Sequence, residues 1–147
     1  KALVEGVNIS VFVYGSTSSG RSHTMQGRGA DGGIVHLISD NIFNLLEEKR
    51  YQNHGFNFNV KIRHLEVVDE EAFDLLQPGG GHGYNKNNVR FHEWEGAQVQ
   101  GIKWIPVPSA HQLNEFFSGG VRNRTQRINE FGKMSEKASQ LFQIEVT

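Results

Sequence analysis

The chain has 147 residues, 37% of them hydrophobic and 21% charged, with a formal net charge of −1 and no cysteine. That balance reads as one globular domain or a piece of one. It excludes a global basic field for nucleic acid, a disulfide framework or thiol nucleophile, and any apolar run of membrane-spanning length.

Ile9 to Tyr14 is short, apolar and β-branched and ends at Gly15, which predicts a buried strand. A Gly/Ser loop follows, and Ser22-His23-Thr24-Met25 opens a short helix before a second Gly-rich loop, Gly27 to Gly33. Ile34 to Arg50 is the clearest helix, with Ile34, Ile38, Ile42, Leu45 and Leu46 on one face, supported by Leu37 and Phe43. Phe56, Phe58, Val60 and Ile62 alternate with polar residues, a strand with one buried face. The alternation shifts near His64-Leu65, and Glu70 to Leu76 reads as one or two helical turns.

Gly79 to Gly83 is a loop, and it lies in no βαβ unit that would make it a dinucleotide motif. Val89 to His92 and Val99 to Val107 read as two strands joined at Glu95-Gly96, with Pro106 and Pro108 marking the far end as an edge or an exit. Ser109-Ala110-His111-Gln112 is a capping box opening a helix through Leu113, Phe116 and Phe117. Gly119-Gly120 is expected to break or kink it, leaving the basic stretch from Arg122 to Lys137 as a loop. Strands and helices mix in one unit, so the fold class is α/β. Thr147 ends the chain in mid-alternation and Lys1 is no initiator Met, so a fragment of a longer chain is expected.

The candidate chemistry lies at Gly15-Ser16-Thr17-Ser18-Ser19-Gly20-Arg21-Ser22. In the pattern Gly-x-x-x-x-Gly-Lys-[Ser/Thr], glycines let the backbone curl until successive N–H groups face phosphate oxygens, and the next helix adds its positive N-terminal end. The Lys reaches the terminal phosphates and the hydroxyl after it ligates Mg2+. Here the glycines, Ser22 and the preceding apolar run are present, but Arg21 holds the Lys position. Arg keeps the charge as a wide planar fork, where Lys is a compact point charge, so the exchange weakens catalysis more than binding. The bland alternative is a Gly/Ser turn that matches by accident.

Other residues carry less. Seven histidines show no His-Glu-x-x-His or His-x-His spacing and have no cysteine partners, His64 reads as packed or exposed within a strand, and His23 is a candidate lining residue. Asp69-Glu70-Glu71 reads as a solvated helix start rather than an acid/base pair.

The segment Val11 to Met25 resembles the kinesin phosphate-loop sequence (I/V)-F-A-Y-G-Q-T-x-S-G-K-T-x-T-M. Gly33-Ile34-Val35 with Asp40-Asn41-Ile42-Phe43 is similar to the family's G-I-I-P-R…D-I-F helix, and Leu65 to Leu76 resembles F-E-I-Y-N-E-x-(I/L)-x-D-L-L. Val99-Gln100-Gly101-Ile102 and Gly120-Val121-Arg122-Asn123-Arg124-Thr125 match later blocks in order. The resemblance implies a partial motor domain over 1–147 with a P-loop NTPase-type fold, a central mixed sheet flanked by helices. It also implies ATP and Mg2+ as ligands, a microtubule partner, a cytoplasmic, cytoskeletal location and dimerisation through regions outside this chain; no nucleic-acid or membrane partner is expected. Residues 15–23 bind the nucleotide on this reading, with Ser22 on the metal.

The family's first switch, N-x-x-S-S-R-S-H, corresponds to Gly132 to Ser139. Ser135 is kept, while Glu136, Lys137 and Ser139 replace the second Ser, the Arg and the His. Ser135 and Lys137 are the candidate catalytic residues. A carboxylate at the metal-facing position changes how γ-phosphate is sensed. Together with Arg21 this leads to a weak ATPase, or to a kinesin-fold scaffold without turnover, as the expected function. A phosphate-loop NTPase outside the kinesins is the third reading. The Glu95-Gly96 tip corresponds to a tubulin-touching lobe, yet Glu93 and Glu95 do not favour an acidic surface.

Overall fold

The computed structural model describes residues 1–16, 18–28, 31–68, 71–76, 86–92, 96–99, 102–131 and 138–147. Its elements are a 3-10 turn (Ala2–Glu5), α1 (Arg21–Gln26), β1 (Gly27–Arg28), β2 (Asp31–Gly32), α2 (Ile34–Gln52), β3 (Val60–Val68), β4 (Glu71–Asp74), β5 (Lys86–His92), β6 (Gly96–Val99), β7 (Ile105–Pro106), α3 (Ala110–Phe131) and β8 (Ser139–Val146). They form two compact units, residues 1–60 with 107–114 and 146–147, and residues 61–106 with 115–145.

In the first unit, α2 is the organising element. It buries Val35, Ser39, Ile42, Phe43 and Leu46, a stripe at helical spacing that matches the apolar stripe of the sequence from Ile42 onward and is displaced from it by one residue at Val35 and Ser39. Ile34 and Ile38 are half-buried, and Leu37 is 59% exposed. Ser39 explains the displacement. Its hydroxyl donates to the His36 carbonyl at 2.8 Å and lies 2.6 Å from Asn114 Oδ1, so a polar contact with the first turns of α3 centres the buried face. The 3-10 turn is tied down by Lys49, which donates to the Val4 carbonyl at 2.9 Å.

Phe56 and Phe58 lie outside β3, correcting the expected start of that strand. Their rings pair at 6.2 Å and receive Lys49 at 5.9 Å and Arg50 at 5.7 Å from the end of α2. Ser109 caps α3 as its sequence predicts, accepting from the Gln112 N–H at 3.2 Å.

Ile9 to Tyr14 corrects a second expectation, because no described strand pairs with this run. Phe12 is 89% exposed and Tyr14 98%. A strand needs a neighbour for its N–H and C=O groups, and without one the β-branched composition does not make a ladder.

In the second unit the sheet runs β6-β5-β4-β3-β7, with β8 also on β3. β4 is antiparallel to β3 (Leu65↔Asp74, Val68↔Glu71), where helical turns were expected. Ala72, Phe73, Leu75 and Leu76 are all buried. A strand covered on both faces loses its period of two and is easily mistaken for a helical segment. The expected strand Val99 to Val107 splits: β6 pairs β5, whereas β7 pairs β3 through Lys61↔Pro106 and Ile62↔Ile105. Pro106 does sit on a terminal strand of the order, as a residue without an N–H should.

α3 continues through Gly119-Gly120 to Phe131, so the expected break is absent and 122–131 is helix rather than loop. The packing of Gly120 accounts for this. A Cβ there would lie 2.3 Å from His64 Nδ1, so the glycine lets the helix backbone close on β3.

Candidate nucleotide-binding site

The phosphate-loop segment forms a tight turn. Ser19 N–H donates to the Ser16 carbonyl at 3.2 Å, and a Cβ on Gly15 would lie 2.4 Å from Ser19 Oγ, so the loop returns over its first glycine. Ser18 (φ 66°) and Gly20 (φ 91°) are left-handed, a conformation that glycine adopts without strain and serine rarely. Gly20 caps α1, and Thr24 N–H is bonded to its carbonyl at 2.9 Å. Arg21, Ser22 and His23 therefore occupy the first turn, where a helix supplies no preceding carbonyl for the N–H groups. Ser16, Ser18, Ser19, Gly20, Arg21, Ser22 and His23 are exposed and Gly15 is half-buried. The helix expected at Ser22 thus begins one residue earlier and ends at Gln26.

Close backbone contact holds this short helix against α2. Gly27 (φ 77°) donates its N–H to the His23 carbonyl. Gly33, just before α2, approaches so closely that a Cβ would stand 2.4 Å from both Gly27 N and the Met25 carbonyl oxygen. The sequence signals this only as glycines in a loop.

The turn brings eight candidate nucleotide-site residues together: Gly15, Ser16, Ser18, Ser19, Gly20, Arg21, Ser22 and His23. Thr17, Ser135, Glu136 and Lys137 lie outside the described residues, as do Glu93 and Glu95 of the hairpin tip. The curled backbone, the exposed first-turn amides and the Ser22 hydroxyl are the donor set that a nucleotide triphosphate with Mg2+ needs, so the described part of the loop fits those ligands.

A second polar cluster lies in the other unit. His64 and Glu66, on the same face of β3, are both fully buried. Arg124 Nε donates to Glu66 Oε1 at 2.8 Å, and Asn123 Nδ2 donates to the Leu75 carbonyl at 2.8 Å. Gln140 of β8 reaches His64 Nε2, while His64 Nδ1 has no hydrogen-bond partner among the described residues. Burial, with Arg124 adding to it, lowers His64 to a pKa of about 3. Arg124 is thus a paired helical residue, not part of an exposed loop. The one available signal was two polar residues, 64 and 66, on the core-facing alternate positions of a strand.

Among the described residues no helix is long and apolar enough to cross a membrane. The sequence profile of the kinesin motor domain matches residues 1–147. The chain belongs to the kinesin motor domain family. The human kinesin-like protein KIF18B is 37% identical over 97% of this chain, which spans 16% of that protein's length. Kinesin-like protein KIN-7M, chloroplastic, from Arabidopsis thaliana is 36% identical over 97% of the chain, spanning 13% of its length. The fold agrees as well. A solved structure of a KIF14 dimer in the two-heads-bound state, with AMP-PNP and in complex with a microtubule, matches 90% of this chain and 36% of its own at a TM-score of 0.75 and 24% identity. The chain is therefore a mixed α/β part of a kinesin head, and the third reading, an NTPase outside the kinesins, falls away.

Proposed function

We propose that residues 1–147 are the central part of a kinesin motor domain, from the phosphate loop through the first switch, and that the whole head binds ATP with Mg2+ but hydrolyses it slowly. The tight turn at Gly15 to Gly20, which leads into the exposed first turn of α1 at Arg21, Ser22 and His23, carries the reading. Backbone N–H groups of Gly15, Ser16, Thr17, Ser18 and Gly20 cradle the phosphates, Ser19 closes the turn through its N–H to the Ser16 carbonyl, Arg21 supplies positive charge, and His23 lines the site. Ser22 would hold Mg2+, which would supply positive charge against the phosphates when bound. Ser135 and Lys137 act from the first switch. Binding rests mostly on amides, whereas turnover needs a point charge and an intact switch, so Arg21 and Glu136 reduce hydrolysis more than affinity.

The partner is the microtubule, as the KIF14 assembly supports, with a cytoplasmic, cytoskeletal location and dimerisation through segments outside 1–147. The same two substitutions favour a second reading, a kinesin-fold scaffold that holds microtubules without turnover. Titrating the intact head with a fluorescent ATP analogue and Mg2+ separates the two. Saturable binding below about 1 mM, around 4 kcal/mol of affinity, is expected; no binding at that concentration would leave the scaffold.

A further inference from the structure

Glu66 is a carboxylate in the middle of β3 with a side chain only 1% exposed, and Arg124 of α3 donates to it at 2.8 Å. Both belong to the second compact unit. A buried ion pair adds little net stability over apolar packing, yet leaving either partner alone is strongly destabilising. What distinguishes such a pair is the set of arrangements it forbids.

Three groups on and beside β3 each meet one position of α3. His64 is fully buried and faces Gly120, where an added Cβ would lie 2.3 Å from Nδ1. Glu66 takes Arg124. Leu75, whose N–H donates to the His64 carbonyl at 2.9 Å, accepts from Asn123 at 2.8 Å. Positions 120 and 124 lie one turn apart on the face that also carries Phe117, which stacks on the His64 ring at 5.2 Å. A slip of four residues, about 6 Å along the helix, is therefore penalised in both directions. One direction sets Phe116 against the imidazole and Gly120 against Glu66. The other sets Arg124 against the imidazole and takes the cation from Glu66. Apolar burial is non-directional and tolerates sliding, whereas a planar fork donating to a buried carboxylate tolerates little.

We propose that the buried Glu66–Arg124 pair is a register lock, which selects one seating of α3 on β3 without adding to the stability of the fold. The lock lies wholly within the second unit and is independent of the nucleotide reading above.

The test compares the complete wild-type motor head with Arg124→Met and with the double variant Glu66→Leu/Arg124→Met, by urea unfolding and by amide hydrogen exchange. Arg124→Met strands the Glu66 carboxylate and should raise the unfolding constant by about a hundredfold or more. The double variant should return to within about tenfold of wild type, or become more stable. Its exchange in residues 121–131 should nevertheless accelerate by about tenfold or more, with exchange in α2 unchanged. A double variant whose exchange in 121–131 matches wild type overturns the lock, because packing then holds the register by itself. Exchange that rises equally in α2 overturns it too, as a general loosening. A double variant as unstable as Arg124→Met makes the pair a stabilising contact and also overturns the lock; a double variant that does not fold counts as this result. Should Arg124→Met alone fail to fold, the double variant against wild type decides.

Discussion

Gly119 and Gly120 are neighbours in one helix and answer to different constraints. Gly120 faces His64, and an added Cβ would lie 2.3 Å from a ring held on its flanks by Phe117 and Phe142. Among the described residues Gly119 meets only Arg122 Nη2 at 3.8 Å, ordinary contact. Gly119→Ala should therefore raise stability by about 0.5–1 kcal/mol through helix propensity, while Gly120→Ala should lower it by about 1–3 kcal/mol through overpacking. Urea unfolding midpoints of the two variants, moving in opposite directions, check this. His64 adds a pH signature. Its folded pKa of about 3 lies below the ordinary value of 6.5, so the unfolded chain binds the extra proton. Stability contributed by neutral His64 is full above about pH 6.5 and falls toward pH 3, by about 1.4 kcal/mol for each pH unit within that window. His64→Leu should flatten the decline between pH 6 and 4 by about one proton's share, measured from unfolding midpoints against pH. Neither behaviour was legible beforehand. A glycine pair reads as a break, and only the ring opposite it shows why the helix runs on.

At the scale of elements, periodicity found what one face decides and missed what neighbours decide. The length of α2 and the capped start of α3 were legible, because amphipathic spacing and a Ser/Gln box are local signals. Ser109→Ala should destabilise by about 1 kcal/mol, the usual effect of losing an N-cap acceptor, read as a lower melting temperature. The buried stripe of α2 is legible at Ile42, Phe43 and Leu46 and a residue off in the first half of the helix, where Val35 and Ser39 turn inward in place of Ile34 and Ile38 and Leu37 turns outward. β4 reads as helical because burial on both faces erases alternation, and α3 from Arg122 onward reads as loop because Asn123 and Arg124 are polar, yet they bond the Leu75 carbonyl and Glu66 instead of facing water. The phosphate loop was legible as a motif, and its close-packed supports were not. Gly33 accepts no side chain, with Gly27 N and the Met25 carbonyl at 2.4 Å from an added Cβ. Gly33→Ala should displace α1 from α2 and weaken nucleotide binding, an effect visible in the same analogue titration as a raised Kd.

For the whole molecule, order along the chain decided the family. Separate blocks from Val11 to Thr125 fall in kinesin sequence, and the profile match over 1–147 and the shared fold agree with them. Residues Ile9 to Tyr14 were the clearest overreach: their composition is that of a core strand, but pairing is a property of neighbours, and among the described residues none pairs with them. The central claim concerns turnover. A kinesin phosphate loop with Arg21 for Lys, joined to a first switch carrying Glu136, should hold ATP and cleave it slowly. Single-turnover hydrolysis by the complete head, saturated with microtubules, tests it most directly. The account predicts a rate below about 1 per second, under the usual enzyme range, that rises when Arg21→Lys restores the point charge. A wild-type rate above that value, unchanged by Arg21→Lys, would contradict it.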